Sequence, residues 1–540
     1  MTQSTRFAPG DAPEFDVPNI GLFELIFDNL DDFDVNRLAI DDGVQETTFG
    51  ELKDHAEDVA KVLNSMGIGR GQRVALHCPN SAEFAGMFLG ILKARAVCVF
   101  VGTKLTPAEI RRQFADIDVD AVISTSAGQK HLRAAAEGPH NTHVRVMDAA
   151  DFRGLARLLG PGAGQNLSSE PRGDDVAVIA LSSGTTGHPK GVVLSHRNLV
   201  ANILQTNHTL RSVMDESSRL ATPLPFHHIF GTTVLLCHSL YIRASQFTSE
   251  SFSFPNFLQT IESEQIGTAF VTPSILQAFA NEAIVDDFDL SSLHRLISGA
   301  APLSAELAQR VHRRLGCAIS QGYGMTETSP VTHINVEESF ATGNVGRPVI
   351  GTEVLIAQDP RGNCGLAEHY VDGLSRGGSP ISPAGEVWIR GPQVMVGYFG
   401  DRQATEASFL NGWLRTGDLG VIDSSGKLYI LDRLKNIINY KGYQISPVEL
   451  ENILQSLTNV DDAAVVGITR ESDSEEIPVA FVVLASGSTA TAAEIMDAAN
   501  RLLASYKRIR KLHLLPEIPK SSSGKSDRKK LLDTIQIPLI

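Results

Sequence analysis

Read for where its apolar residues recur, the chain divides into stretches of different texture. From about residue 48 to 102, helical and extended patterns alternate. Thr48 and Glu51 have the spacing of a capping box, and Leu52, Ala56, Val59 and Leu63 follow at helical intervals. Gly67 suits the position just past that helix. A strand is predicted over 73–78, a helix capped by Ser81 and reaching Lys93, and a buried strand over 96–101. Alternation of this kind implies parallel β-α-β units. It resumes from 176 to about 329, with strands predicted over 176–181, 268–271, 295–298 and 318–322 and helical segments between them.

Between about 345 and 430 the texture changes. Short apolar runs at 353–356, 386–389 and 427–431 are separated by Gly, Pro, Asp and Asn, the pattern of a mostly β module. Within it, 358–384 is a Gly/Ser/Pro-rich stretch of a length that marks functional or mobile loops. After Asp432 a smaller α/β unit follows. Ser446, Pro447 and Glu449 supply an N-cap, a first-turn proline and a capping carboxylate for a helix through Leu450, Ile453, Leu454 and Leu457. Strands over 463–467 and 479–484 and a helix from about 492 to 505 complete it.

The 540 residues suggest roughly three or four domain-sized units. A net charge of −15 argues against a general nucleic-acid binder, which needs a basic surface. The basic run at 507–511 reads as a solvated helix end, with a contact to the phosphates of a nucleotide ligand as the alternative. The five cysteines are scattered, with no C-x-x-C pair, so neither a disulfide framework nor a zinc site is expected. Residues 1–18 are polar and acidic, without the apolar core of a secretory leader. The longest apolar helical stretch, 84–92, falls well short of the about 20 residues that span a membrane. The expectation is a cytoplasmic protein.

The sharpest chemical signal is Leu181-Ser182-Ser183-Gly184-Thr185-Thr186-Gly187-His188-Pro189-Lys190-Gly191, directly after an apolar strand. The glycines let the backbone turn and aim N–H groups at an anion. Ser182, Ser183, Thr185 and Thr186 add hydroxyls, and Lys190 adds a cation. It is not a Walker A loop, because His188 and Pro189 separate Gly187 from Lys190. Val192, Val193 and Leu194 follow, and Ser195 suits the N-cap of a helix through Leu199 and Ile203.

This string resembles the phosphate-loop signature of the adenylate-forming superfamily, which includes acyl- and aryl-CoA ligases, beetle luciferases and peptide-synthetase adenylation domains. Four more strings fall in the family's order. Gln321-Gly322-Tyr323-Gly324-Met325-Thr326-Glu327-Thr328 resembles its second core motif: Tyr323 offers a face for adenine, Gly322 and Gly324 allow close approach, Thr326 reaches the α-phosphate and Glu327 holds Mg²⁺. Trp413-Leu414-Arg415-Thr416-Gly417-Asp418 resembles the ribose-binding segment, with Asp418 as acceptor for the hydroxyls. Asp432-Arg433-Leu434-Lys435 resembles the interdomain hinge, with Arg433 reaching the ribose and Lys435 at the swivel. Pro519-Lys520-Ser521-Ser522-Ser523-Gly524-Lys525 resembles the last motif, in which Lys525 matches the catalytic lysine.

The resemblance covers about residues 20–532 and is nearest in pattern to hydroxycinnamate- and acyl-CoA ligases. It implies an α/β fold: a large N-terminal domain over 1–431, made of two doubly wound α/β subdomains and a β-barrel-like part at about 345–431, hinged at 432–435 to a small α+β domain over 432–540. It also implies ATP, Mg²⁺ and coenzyme A as the reaction's cofactors and a small carboxylic acid as its substrate. His228 takes the place of a histidine or aromatic beside the carboxylate, with a satisfied core histidine as the alternative. Ile229, Phe230, Gly299, Ala300, Gly324, Pro330 and Val331 would line the acid pocket, which favours an aryl or aliphatic acid over an amino acid. For the second half-reaction, the small domain would rotate and bring Tyr440-Lys441-Gly442-Tyr443-Gln444 to the site, Gly442 leaving room for a pantetheine arm. Asn439 stands where hydroxycinnamate ligases and luciferases usually have a lysine. A ligase that loads a separate carrier protein and a nucleotide-binding relative without turnover remain alternatives.

Overall fold

The computed structural model describes residues 15–31, 34–136, 144–159, 171–182, 190–341, 343–357, 375–376, 379–440, 443–469, 476–520 and 526–534. Two large sheets lie side by side. The first has five parallel strands in the order Val176–Ser182, Val97–Phe100, Arg73–His77, Ala121–Ser124 and Arg145–Asp148. Lys190–Ser195 and then Gly397–Tyr398 extend it antiparallel. In the second sheet, Ala318–Gly324, Arg295–Ser298, Thr268–Val271, Arg219–Ala221, Ser245–Phe247 and Leu38–Asp41 are parallel in that order, with Val331–Asn335 and then Arg347–Pro348 antiparallel at one end and Glu46–Thr48 antiparallel at the other.

The local signals act as expected. Thr48 and Glu51 form the reciprocal capping box of Phe49–Ser65, and Gly67 has the positive φ of 76° that follows its last turn. Ser81 caps Ala82–Lys93, whose apolar run is buried between the Phe49–Ser65 helix and the sheet. Ser195 caps His196–Leu210. What differs is partner choice. The strands before residue 49 join the second sheet, although the helix that directly follows them packs on Ala82–Lys93 of the first. The strand after Lys190 joins the first.

The five antiparallel strands Glu353–Ala357, Gly385–Arg390, Trp413–Ile422, Phe409–Leu410 and Leu428–Arg433 make a third, curled sheet. It matches the predicted β module, except that Gly397–Tyr398 leaves it to pair with Lys190–Ser195. The Gly/Ser/Pro-rich stretch lies largely outside the described residues.

The large N-terminal domain is followed by a small α+β one with its own core around Ile438, Leu450, Val465, Phe481 and Ile495. Val460–Thr469, Glu476–Leu484 and Lys511–Leu514 form its sheet, against Pro447–Gln455 and Ala492–Arg501. The second helix stops at Arg501, so the basic run is not a helix end. Lys507 Nζ instead pairs with Glu449 Oε1 at 2.6 Å, and the Arg510 guanidinium lies 5.0 Å from the Tyr440 ring. No described helix is long and apolar enough to cross a membrane.

Candidate active site

Two strand pairings collect the predicted residues. Val176–Ser182 and Lys190–Ser195 pair antiparallel with Ser182 opposite Lys190. Ser183, Gly184, Thr185, Thr186 and Gly187 lie outside the described residues. The second pairing is in the neighbouring sheet, where Ser298 sits opposite Gln321. Gly299 and Ala300 therefore emerge beside Gly322, Tyr323 and Gly324. At Gly324 the backbone comes so close that a Cβ would stand 1.9 Å from Pro330 O, so only glycine fits. Beyond it, Thr326 and Glu327 open a short 3₁₀ turn, Thr326–Thr328.

Glu327 is buried, and its backbone carbonyl accepts from Met395 N at 2.9 Å. Its Oε1 accepts the Tyr398 hydroxyl at 2.9 Å. The Lys190 ammonium lies 4.8 Å from the centre of the same tyrosine ring. Tyr398 thus couples the end of the phosphate loop to the Glu327 carboxylate. Burial, and then Glu327, push the Tyr398 phenol up, so it stays a donor. Sequence reasoning passed over Tyr398, although its Gly397-Tyr398-Phe399-Gly400 setting repeats the glycine-flanked aromatic of Tyr323.

Asp418 and Arg433 are register partners of Trp413–Ile422 and Leu428–Arg433. Arg433 Nε meets Asp418 Oδ1 at 2.6 Å, and the Tyr323 hydroxyl donates to Asp418 Oδ2 at 2.6 Å. The Tyr323 phenol is held far above its ordinary range by burial and by Asp418. Burial alone would lower Arg433, but Asp418, Tyr323, Glu327 and Asp432 outweigh it and raise it. The Asp418 turn is pinned from behind. Thr416 Oγ1 donates to Val387 O at 2.7 Å and accepts from Asp418 N at 3.0 Å. Buried Glu386 accepts from Trp388 Nε1 (2.8 Å), Gly417 N (3.1 Å) and Arg415 Nε (3.2 Å). Thr416 lies in the quoted string, but its bond to Val387 and the bonds of Glu386 to Arg415 and Gly417 join positions about 30 residues apart, which the sequence does not signal. Lys435 is exposed just past Arg433, in the turn Leu434–Asn436.

The apolar group assembles around Phe230. Its ring lies 2.9 Å from where a Cβ of Gly299 would be and meets Phe270 edge-on, with centroids 6.1 Å apart. It opens a π-helix, Phe230–His238, that no periodicity signalled. Val331 is fixed by Asn202, which accepts from its N–H (3.0 Å) and donates to its carbonyl (2.7 Å). Ile229 is buried, and the His228 ring lies 4.7 Å from that of His227. Burial, then His228, His77 and Lys104, lower His227 to about 3, so it is a neutral imidazole. Gly442 and Lys525 lie outside the described residues. Gln444 is in the strand Tyr443–Ile445, opposite Asn439. Among the described residues no cluster of three or more His, Cys, Asp or Glu side chains is placed to hold a metal ion.

The model of the AMP-binding enzyme family matches residues 28–399, and that of the AMP-binding enzyme C-terminal domain matches 449–525. 4-Coumarate–CoA ligase 2 of Nicotiana tabacum is 33% identical over 535 residues, covering 96% of this chain and 95% of its own. The ATP-bound structure of MatB from Rhodopseudomonas palustris superposes with a TM-score of 0.84 at 26% identity, covering 96% of this chain and 99% of that one. The apo structure of the same protein superposes with a TM-score of 0.74 at the same identity and coverage. The chain belongs to the AMP-binding enzyme family and is an acid–thiol ligase of its AMP-forming kind.

Proposed function

We propose that this chain activates a carboxylic acid with ATP as an acyl-adenylate, releasing pyrophosphate, and then transfers the acyl group to the thiol of coenzyme A. The observation that carries this reading is the pair of tyrosine-held buried carboxylates, Asp418 beside Arg433 and Glu327 joined to Lys190 through Tyr398. Beside its contacts with Arg433 and Tyr323, the Asp418 carboxylate would accept from the ribose hydroxyls. Glu327 fits Mg²⁺, which commonly takes one or two carboxylates and completes its shell with water and substrate phosphates. Bound there, the ion would offset charge on the phosphates. Thr326 and Lys190 would orient the α-phosphate and its neighbours, with the 183–187 backbone completing the cradle. Lys525 would stabilise the charge that builds as the carboxylate attacks phosphorus. The work is positioning and electrostatics, not covalent chemistry.

The acid would lie against Ile229, Phe230, Gly299, Ala300, Pro330 and Val331, with His228 beside its carboxylate. This small and apolar lining suits an aryl or medium- to long-chain aliphatic acid. We place the domain boundary at 431/432 with the hinge at 432–435, and the thioester step at the hairpin of Ile438–Tyr440 and Tyr443–Ile445, where Gly442 and Gln444 would meet the pantetheine. A second reading rests on Asn439. It is exposed on that hairpin, with its backbone N–H bonded to Glu476 at 2.7 Å, and cannot supply a lysine's charge. The acceptor would then be the phosphopantetheine of a separate carrier protein. Free thiols at Cys78, Cys98, Cys237 and Cys317, all buried, support a reducing compartment such as the cytoplasm.

ATP–pyrophosphate exchange over a panel of aryl and aliphatic acids tests the first step, and no exchange with any acid rejects it. Coenzyme A and a pantetheinylated carrier, supplied in parallel, then identify the acceptor; thioester on the carrier alone rejects coenzyme A. Lys525→Ala is expected to lower exchange by about 10²-fold or more while thiolation of supplied acyl-adenylate stays near wild type.

A further inference from the structure

Away from the junction at 432–448, the small domain meets the large one at the start of the Val460–Thr469 strand. Gln277 Nε2 donates to Asp461 O at 2.5 Å, and Asn281 Nδ2 donates to Asp461 Oδ1. Both donors belong to the helix Pro273–Asn281 of the large domain. Asn281 Oδ1 in turn accepts from the Arg310 guanidinium on the next helix, Ala305–Leu315. The adjacent Asp462 faces the other way. Its Oδ2 pairs with Lys520 Nζ at 2.9 Å, and its Oδ1 accepts from Gln455 at 3.3 Å. Lys520 bridges to Ser526, and Asp527 N donates to Pro519 O at 2.7 Å. Two successive aspartates therefore tie the large domain to the strand ends that flank the last motif.

This contact is polar and half-buried, and the apolar core of the small domain stays separate from that of the large one. Such an interface holds an orientation without making it permanent. Over the whole chain, the arrangement is nearer to the ATP-bound than to the apo form of the same relative.

We propose that Asp461 is a positioning residue, a latch on Asn281 and Gln277 that holds the small domain in the orientation serving adenylation and lets go for thiolation. The proposal rests on the two-step reading above. It assigns Asp461 no contact with substrate, so its effect falls on one half-reaction only.

The test separates the two steps. Asp461→Ala is expected to lower ATP–pyrophosphate exchange about 5- to 20-fold, with the rate of thioester formation from supplied acyl-adenylate and coenzyme A unchanged or raised. Asn281→Ala, on the exposed end of its helix, should do the same from the other side, and the double variant should be no worse than either single one. Exchanging the partners, Asp461→Asn with Asn281→Asp, keeps a donor–acceptor pair beside Arg310 and should restore exchange to within about 3-fold of wild type. Undiminished exchange in Asp461→Ala, or an equal fall in both half-reactions, overturns the latch. A wild-type chain that exchanges with no acid at all would instead reject the adenylation reading, and the latch with it.

Discussion

Glu327 and Asp418 are buried carboxylates, each held by a tyrosine hydroxyl, but their second partners differ. Asp418 has the Arg433 guanidinium in direct contact, whereas Glu327 meets Lys190 only through the Tyr398 ring. Removing the Tyr398 hydroxyl should therefore matter more for how Glu327 is aimed than for how the nucleoside is held. A hydrogen bond to a charged group is worth about 1.5–3 kcal/mol, or about 10- to 100-fold in an equilibrium. Tyr398→Phe is expected to raise the Mg²⁺ concentration for half-maximal pyrophosphate exchange by about 10-fold, with KM for the acid unchanged. A Mg²⁺ titration of exchange checks this, and an unaltered Mg²⁺ requirement would remove Tyr398 from the site. Tyr323, Asp418 and Arg433 were legible in the sequence because each lies in a recognisable string. Tyr398 was not, because its partner is 71 residues away and only the strand pairing at Lys190–Ser195 brings it there.

Among the elements, Trp413–Ile422 carries Asp418, and its geometry is set by the neighbouring strand Gly385–Arg390. The register of that pair is irregular between Glu386 and Trp388, and the Glu386 carboxylate gathers Trp388, Arg415 and Gly417 there. A neutral amide can accept on one side only, and it would present donors to donors on the other. Glu386→Gln is expected to raise KM for ATP about 10-fold with little change in KM for the acid, measured by steady-state exchange. Equal changes in both would mean general loosening rather than a misplaced Asp418. The existence of these strands was legible from short apolar runs between turn residues. Their neighbours were not, since periodicity reports which face is buried but not what covers it. Leu38–Asp41 and Glu46–Thr48 show this in the second sheet, and the Phe230–His238 π-helix shows it for helices, being buried on nearly every side, Thr232, Thr233 and His238 included, and so without a periodic apolar stripe.

For the molecule as a whole, burying imidazoles in the large domain has a cost that depends on pH. His196, His238 and His333 are almost wholly buried. Burial holds His238 and His333 at about 3, and burial with Arg95, opposed by Asp175, holds His196 at about 4, against an ordinary 6.5. Below pH 6.5 the unfolded chain takes up protons that the folded one refuses. The stability these sites allow is therefore complete above pH 6.5 and falls as the pH drops toward 4 and then 3. Each histidine can contribute a slope of up to about 1.4 kcal/mol per pH unit within that window. Urea unfolding of the large domain between pH 7 and about 4.5 should accordingly show stability falling with acid, and, since His227 is held at about 3 as well, His238→Leu should flatten the histidine part of the slope by about a quarter. His238 is a direct probe, as His333 would be, because burial is the one influence shifting each of them. A slope unchanged in His238→Leu would mean that acid unfolds the domain through its carboxylates instead.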